Sequence, residues 1–245
     1  MTADAELLVR LALLLFWLGL VSVDERASAS LGFHQPIVSG TVAGWLMGNL
    51  DGGAGAGLVF QALWPGLLPV GGTLLPAVGI AGGIAGAVAG WGAHLVGTRA
   101  LLTPDGPLLF GVVVGLVAAW IGGAWERGTR RRNLDREERA LAVSGPLLDA
   151  LERARRSALF DTALRGVILG GAAVFLAGVV YLWPAALRLL GASPVPEVGR
   201  ALRPAAFGLG LGGLLLLFDG PRPHLSRPVA AGLAAGVLFQ LLRGL

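Results

Sequence analysis

The chain has 245 residues, of which 55% are hydrophobic and only 14% charged, and its mean hydropathy is strongly positive. That balance excludes an ordinary soluble domain and leaves a polytopic membrane protein. The formal charge of +4 comes from 19 basic residues, all arginine and too scattered for a nucleic-acid surface, and without cysteine there are neither disulfides nor thiolate metal sites.

The first apolar run, Leu11 to Val23 with Leu7, Leu8 and Val9 before it, is long enough to span a bilayer if Arg10 snorkels. A signal peptide is the rival reading, since Ala27-Ser28-Ala29 resembles a small-residue cleavage site. Asp4 and Glu6 in the leading segment, and Asp24-Glu25-Arg26 in the cleavage region, favour an uncleaved helix.

From Asp24 to Pro76 the sequence changes character. Phe33-His34-Gln35-Pro36 reads as a turn, and glycines at 40, 44, 48, 52, 53, 55 and 57 break the apolar sequence that follows. Ile37 to Leu50 and Ala54 to Leu68 are each too short and too glycine-rich for a comfortable crossing, so a re-entrant hairpin or tilted half-helices are expected. The glycines, 40 in the whole chain, allow the close backbone approach by which helices associate in lipid. Further on, Ala77 to Val96 and Leu108 to Trp125 read as conventional spans. Gly166 to Trp183, Ala205 to Phe218 and Val229 to Leu242 follow, the last two short again. The expected fold is therefore an all-α polytopic membrane protein with several transmembrane helices and re-entrant or broken helical hairpins, one integral membrane domain over 1–245.

Residues 126–161 stand apart, with nine arginines and seven acids. The segment 184–204 has three arginines and one acid, so the arginine bias places 126–161 in the cytoplasm. Ser144 is positioned to cap a helix starting near Pro146, with Leu147, Leu151, Ala154 and Ala158 on one face. Asp149 with Arg153, and Glu152 with Arg156, are i,i+4 pairs in the favourable acid-first order. A solvated helix is the plain reading, though a helix exposed there is also where a soluble partner could bind.

Residues 35–46 align without gaps on 227–238, sharing the proline, both glycines, an alanine and a leucine. Matched Pro/Gly-interrupted segments point to a binding site in transporters, but chance competes strongly in so glycine-rich a chain. Asp219-Gly220-Pro221-Arg222-Pro223-His224 reads as a tight turn.

The candidate site residues are Asp24, Glu25, His34, Gln35, Asn49, Gln61 and Trp64. Ionisable groups at membrane depth are costly unless paired or facing a cavity. Unpaired amides in apolar surroundings cost several kcal/mol, so Asn49 and Gln61 must have partners. Neutral amides with an apolar ring nearby suit a polyhydroxylated ligand, and these polar groups are expected to converge on one cavity. No metal-ligand spacing, phosphate-binding glycine loop or Ser/His/acid constellation is evident, so no cofactor and no catalysis of its own is expected.

Val23-Asp24-Glu25, Phe33-His34-Gln35-Pro36, Gly40-Thr41, Gly44, Gly48-Asn49-Leu50 and Leu67-Leu68-Pro69-Val70-Gly71-Gly72 together resemble the IIC subunit of mannose/fructose/sorbose-type sugar phosphotransferase systems. The resemblance covers residues 20–90 most strongly. It implies a multi-pass permease of the bacterial inner membrane that binds a hexose-type sugar and acts with a IID membrane subunit. Soluble IIA and IIB proteins, whose histidines carry the phosphoryl group, would complete an oligomeric complex. Family members often carry charges where this chain has Gln35, Asn49, Gln61, Ala77 and Val78. That loss motivates an alternative, a non-transporting assembly or regulatory membrane subunit. An unrelated ion-coupled transporter is disfavoured, since the later spans lack a central acid.

Overall fold

The computed structural model of the chain describes residues 3–26, 31–63, 76–98, 105–142, 146–192 and 195–202, with 204, 205 and 208. Trp64, the 67–72 motif, Ser144, the 219–224 turn, the proline motif at 227–238 and the expected span Val229 to Leu242 lie outside these residues, as does nearly all of Ala205 to Phe218. The described residues are helical almost throughout, with no strand among them. Among the described residues four helices are long and apolar enough to cross a membrane: α1 (Ala3–Arg26), α4 (Val78–Thr98), α5 (Asp105–Leu141) and α6 (Leu147–Leu182).

Two shorter helices, α2 (Pro36–Leu46) and α3 (Leu50–Leu63), occupy the glycine-rich stretch. With 11 residues, α2 extends only about 17 Å, short of a bilayer core of roughly 30 Å. Pro36 starts α2 because its missing N–H would be unpaired in the first turn anyway. Gly48, at φ +96°, supplies the left-handed backbone that turns the chain back. Asn49 then caps α3, its Oδ1 accepting the Gly52 N–H at 2.7 Å.

Helix α2 is held between α3 and α4 by backbone contact. A Cβ added at Gly40 would lie 2.8 Å from the Gly57 Cα, and one added at Gly53 would meet the Gly40 carbonyl at 2.5 Å. From the other side, Gly82 faces Pro36, Gly86 faces Gly40 and Gly90 faces Gly44. Both interfaces use the same two glycines of α2. Helix α4 is the hub of the fold, packing on α1, α2, α3, α5 and α6. Its core contacts include Ile80, Ile84 and Val88, buried with Leu14, Leu18 and Val21 of α1.

Helices α5 and α6, of 37 and 36 residues, are about 55 Å long, far longer than the expected spans. The segment 126–161 is thus mainly the second half of α5 and the first half of α6, an antiparallel helical hairpin continuous with two spans. Hydropathy marks where lipid ends; the Arg-, Glu-, Ala- and Leu-rich sequence beyond it still favours helix. Pro146 stands in the N-cap position of α6 without a side-chain cap. Glu152 and Arg156 pair as expected, whereas among the described residues no ion pair joins Asp149 to Arg153. Beyond α6, Pro184 opens a short helix α7 (Pro184–Gly191).

Gly86→Leu should drive a side chain into the Gly40 backbone and cost about 3 kcal/mol or more, the upper end for overpacking. The variant's thermal midpoint in detergent, followed by size-exclusion chromatography, should fall sharply. Gly128→Ala, with open space around it, should leave the midpoint unchanged or slightly raised.

Candidate functional site

The candidate residues cluster where α1 ends and α2 begins. Asp24 is 3% exposed and directs both carboxylate oxygens at the following turn. Oδ1 accepts the Leu31 N–H, while Oδ2 accepts the His34 N–H at 3.0 Å and faces His34 Nδ1 at 2.8 Å. A carboxylate at Nδ1 selects the tautomer with hydrogen there, which leaves Nε2 as an acceptor. Phe33 anchors the same turn, its ring 5.5 Å from that of Trp17, and Trp17 donates to the Ser39 carbonyl at 3.1 Å.

Gln35 and Gln61 meet one residue further on. Gln61 Nε2 donates to Gln35 Oε1 at 3.1 Å, and Gln61 Oε1 accepts the Ile37 N–H at 3.4 Å. The end of α3 thereby caps the start of α2. Gln35 is exposed and His34 about one-quarter exposed. A half-open patch with an imidazole and two amides results, offering hydrogen-bond donors and acceptors.

Glu25 points elsewhere. Its Oε1 accepts the Gly79 N–H at 3.3 Å, at the start of α4, and its Oε2 is 3.9 Å from Arg165. Arg165, 1% exposed, donates to Glu126 Oε2 at 2.6 Å and to Ser22 Oγ at 3.2 Å. Glu126 is also held by Arg130 at 3.3 Å. The end of α1 is therefore tied to α4, α5 and α6 at one depth. Sequence reasoning missed Arg165 and left Glu126 in a solvated segment. The available signal was three charges, Glu25, Glu126 and Arg165, each at the edge of a separate apolar run.

The structure thus brings Asp24 to His34 and Gln35 to Gln61, with Glu25 one residue from Asp24 on the buried side. Asn49 lies at the opposite end of the α2/α3 hairpin, about 16 Å away along α2, and its side-chain carbonyl is used in capping α3. The expected convergence therefore does not extend to Asn49. The hairpin tip has its own polar neighbours: Arg10 donates to the Leu46 carbonyl at 3.4 Å and pairs with Glu6. Among the described residues no group of three or more His, Cys, Asp or Glu could hold a metal ion.

Four membrane-length helices around a short glycine-packed hairpin define a multi-pass helical membrane protein, and the polar patch lies at the hairpin's base. Residues 8–96 match the family model of the sorbose-specific IIC component of the phosphotransferase system, consistent with a mannose/fructose/sorbose-family IIC. That span runs from α1 to near the end of α4 and contains every candidate residue. No curated protein and no solved structure matches the chain. The match and the apolar helices support a IIC component of that system in general.

Removing one partner of a buried ion pair typically costs about 3–5 kcal/mol. Arg165→Met should show a loss of that size in the thermal midpoint. Glu126→Gln should lose less, because Glu25 still lies 3.9 Å from the guanidinium.

Proposed function

We propose that the chain is the IIC permease subunit of a bacterial inner-membrane sugar phosphotransferase complex, and that it binds a hexose-type sugar at the base of the α2/α3 hairpin. The observation that carries this reading is the direct pairing of Gln35 with Gln61 beside the Asp24-oriented His34. An acceptor at His34 Nε2 and amides at Gln35 and Gln61 match sugar hydroxyls, each both donor and acceptor. Asp24 and Glu25 act by holding this geometry. Neutral contacts also lower the desolvation cost of a site at membrane depth.

The hairpin base lies at the same depth as Glu126 and Arg165, the face from which the arginine-rich ends of α5 and α6 project. With those ends in the cytoplasm, the site faces the compartment where soluble IIA and IIB proteins would phosphorylate the sugar, and α1 begins on the opposite side. The IID subunit would complete the membrane complex.

Binding should be measured on the chain purified with its IID partner, against mannose, fructose, sorbose, glucose and glucosamine. Loss of one or two hydrogen bonds to the ligand should weaken binding roughly tenfold in His34→Ala and in Gln61→Ala. Unchanged binding in both variants contradicts the site. Complementation of a deletion strain addresses the regulatory alternative, because restored sugar uptake and phosphorylation excludes a non-transporting subunit.

A further inference from the structure

Beyond Glu126 and Arg165 the helical hairpin of α5 and α6 continues with no other described helix beside it. Thirteen residues separate Glu126 from Arg139 along α5, about 20 Å of helix. Near its end the two helices meet over small side chains, Ala140 and Ala150, both buried. The small contact leaves an open cleft of about 290 Å³ lined by Arg136, Arg139, Ala150, Arg153, Ala154 and Ser157.

The three arginines differ in what holds them. Arg136 is paired with Asp161 and bonded to Asn133. Arg139 and Arg153 are exposed, and among the described residues neither forms an ion pair. Arginines without an ion pair, on an arm about 20 Å beyond the last buried charge, are out of reach of lipid headgroups at the membrane surface. A wide, shallow cleft also lacks the convergent donors that would enclose a small anion.

We infer that this cleft is a docking surface for a soluble protein presenting an acidic face, with Arg139 and Arg153 as the charge-reading residues. Arginine suits this role because its rigid planar fork pairs bidentately with carboxylates. The inference rests on the phosphotransferase reading for the partner's identity, a soluble IIB-type subunit; the surface itself is defined by charge and exposure. Docking there holds the soluble protein on the same face as the hairpin base, where a bound sugar would be delivered.

The test uses the full chain with its IID partner in nanodiscs, titrated with the purified soluble IIB subunit, and sugar binding measured separately on each sample. Arg139→Glu with Arg153→Glu should weaken the soluble subunit's binding roughly tenfold or more, with a steep salt dependence in the unmodified chain. Sugar affinity should stay unchanged in that variant. Arg200→Glu, on the opposite side of the membrane, should affect neither. Undiminished soluble-subunit binding in the double variant overturns the docking surface, as does absence of binding to the unmodified chain. In either case sugar binding independently reports whether the permease reading stands. If the double variant instead loses a preference for phosphatidylglycerol over phosphatidylcholine nanodiscs while keeping the soluble subunit, the arginines read lipid and the proposal fails.

Discussion

The architecture depends on how closely α2 approaches its two neighbours. Gly40 and Gly44 each face glycines of both α3 and α4, with no side chain between the backbones. In lipid, burying apolar surface gives little drive to associate, so this contact is where dispersion and packing hold the helices together. Three helices pressed this tightly also shield the ends of α2, which is shorter than a bilayer core. The freed N–H and C=O groups at those ends find partners in Gln61 and Arg10.

Once α2 is fixed, its N-terminus fixes the polar patch. Pro36 sets the entry direction, Gln61 comes up from α3 to the first turn, and Asp24 holds the preceding residues against the end of α1. The charged and the neutral groups have separate roles. Asp24, Glu25, Glu126 and Arg165 are largely buried and engaged by protein partners, which orients the patch and ties it to α5 and α6. His34, Gln35 and Gln61 are the groups left partly exposed. In the proposed site a ligand would meet amides and an imidazole, held on a frame of buried ions that compensate one another.

The hairpin and its base were legible in the sequence because proline, closely spaced glycines and isolated amides are all unfavourable in an ordinary lipid-facing helix. The single-span reading of α1 and the position of α4 followed from hydropathy alone. Hydropathy could not show that α5 and α6 run on past the membrane, since it falls at Glu126 while helix propensity does not. Arg165 was hidden because its hydrogen-bond partners, Glu126 and Ser22, stand 39 and 143 residues away, and no local pattern joins them. Asn49, an amide read as a ligand group, also serves as the N-cap of α3, a role that its position before Leu50-Asp51-Gly52 suggests.

The most direct test of the proposed sugar site exploits the lack of cysteine, which makes an introduced thiol the sole cysteine target for maleimide on this chain. Leu31→Cys places one beside the Asp24–His34 turn, and Leu50→Cys places one at the hairpin tip; both positions are exposed. With the IID partner present, a bound hexose should slow labelling at position 31 and leave position 50 unchanged. Protection at position 50 alone, or at neither position while sugar binding is measurable, would contradict a site at the hairpin base.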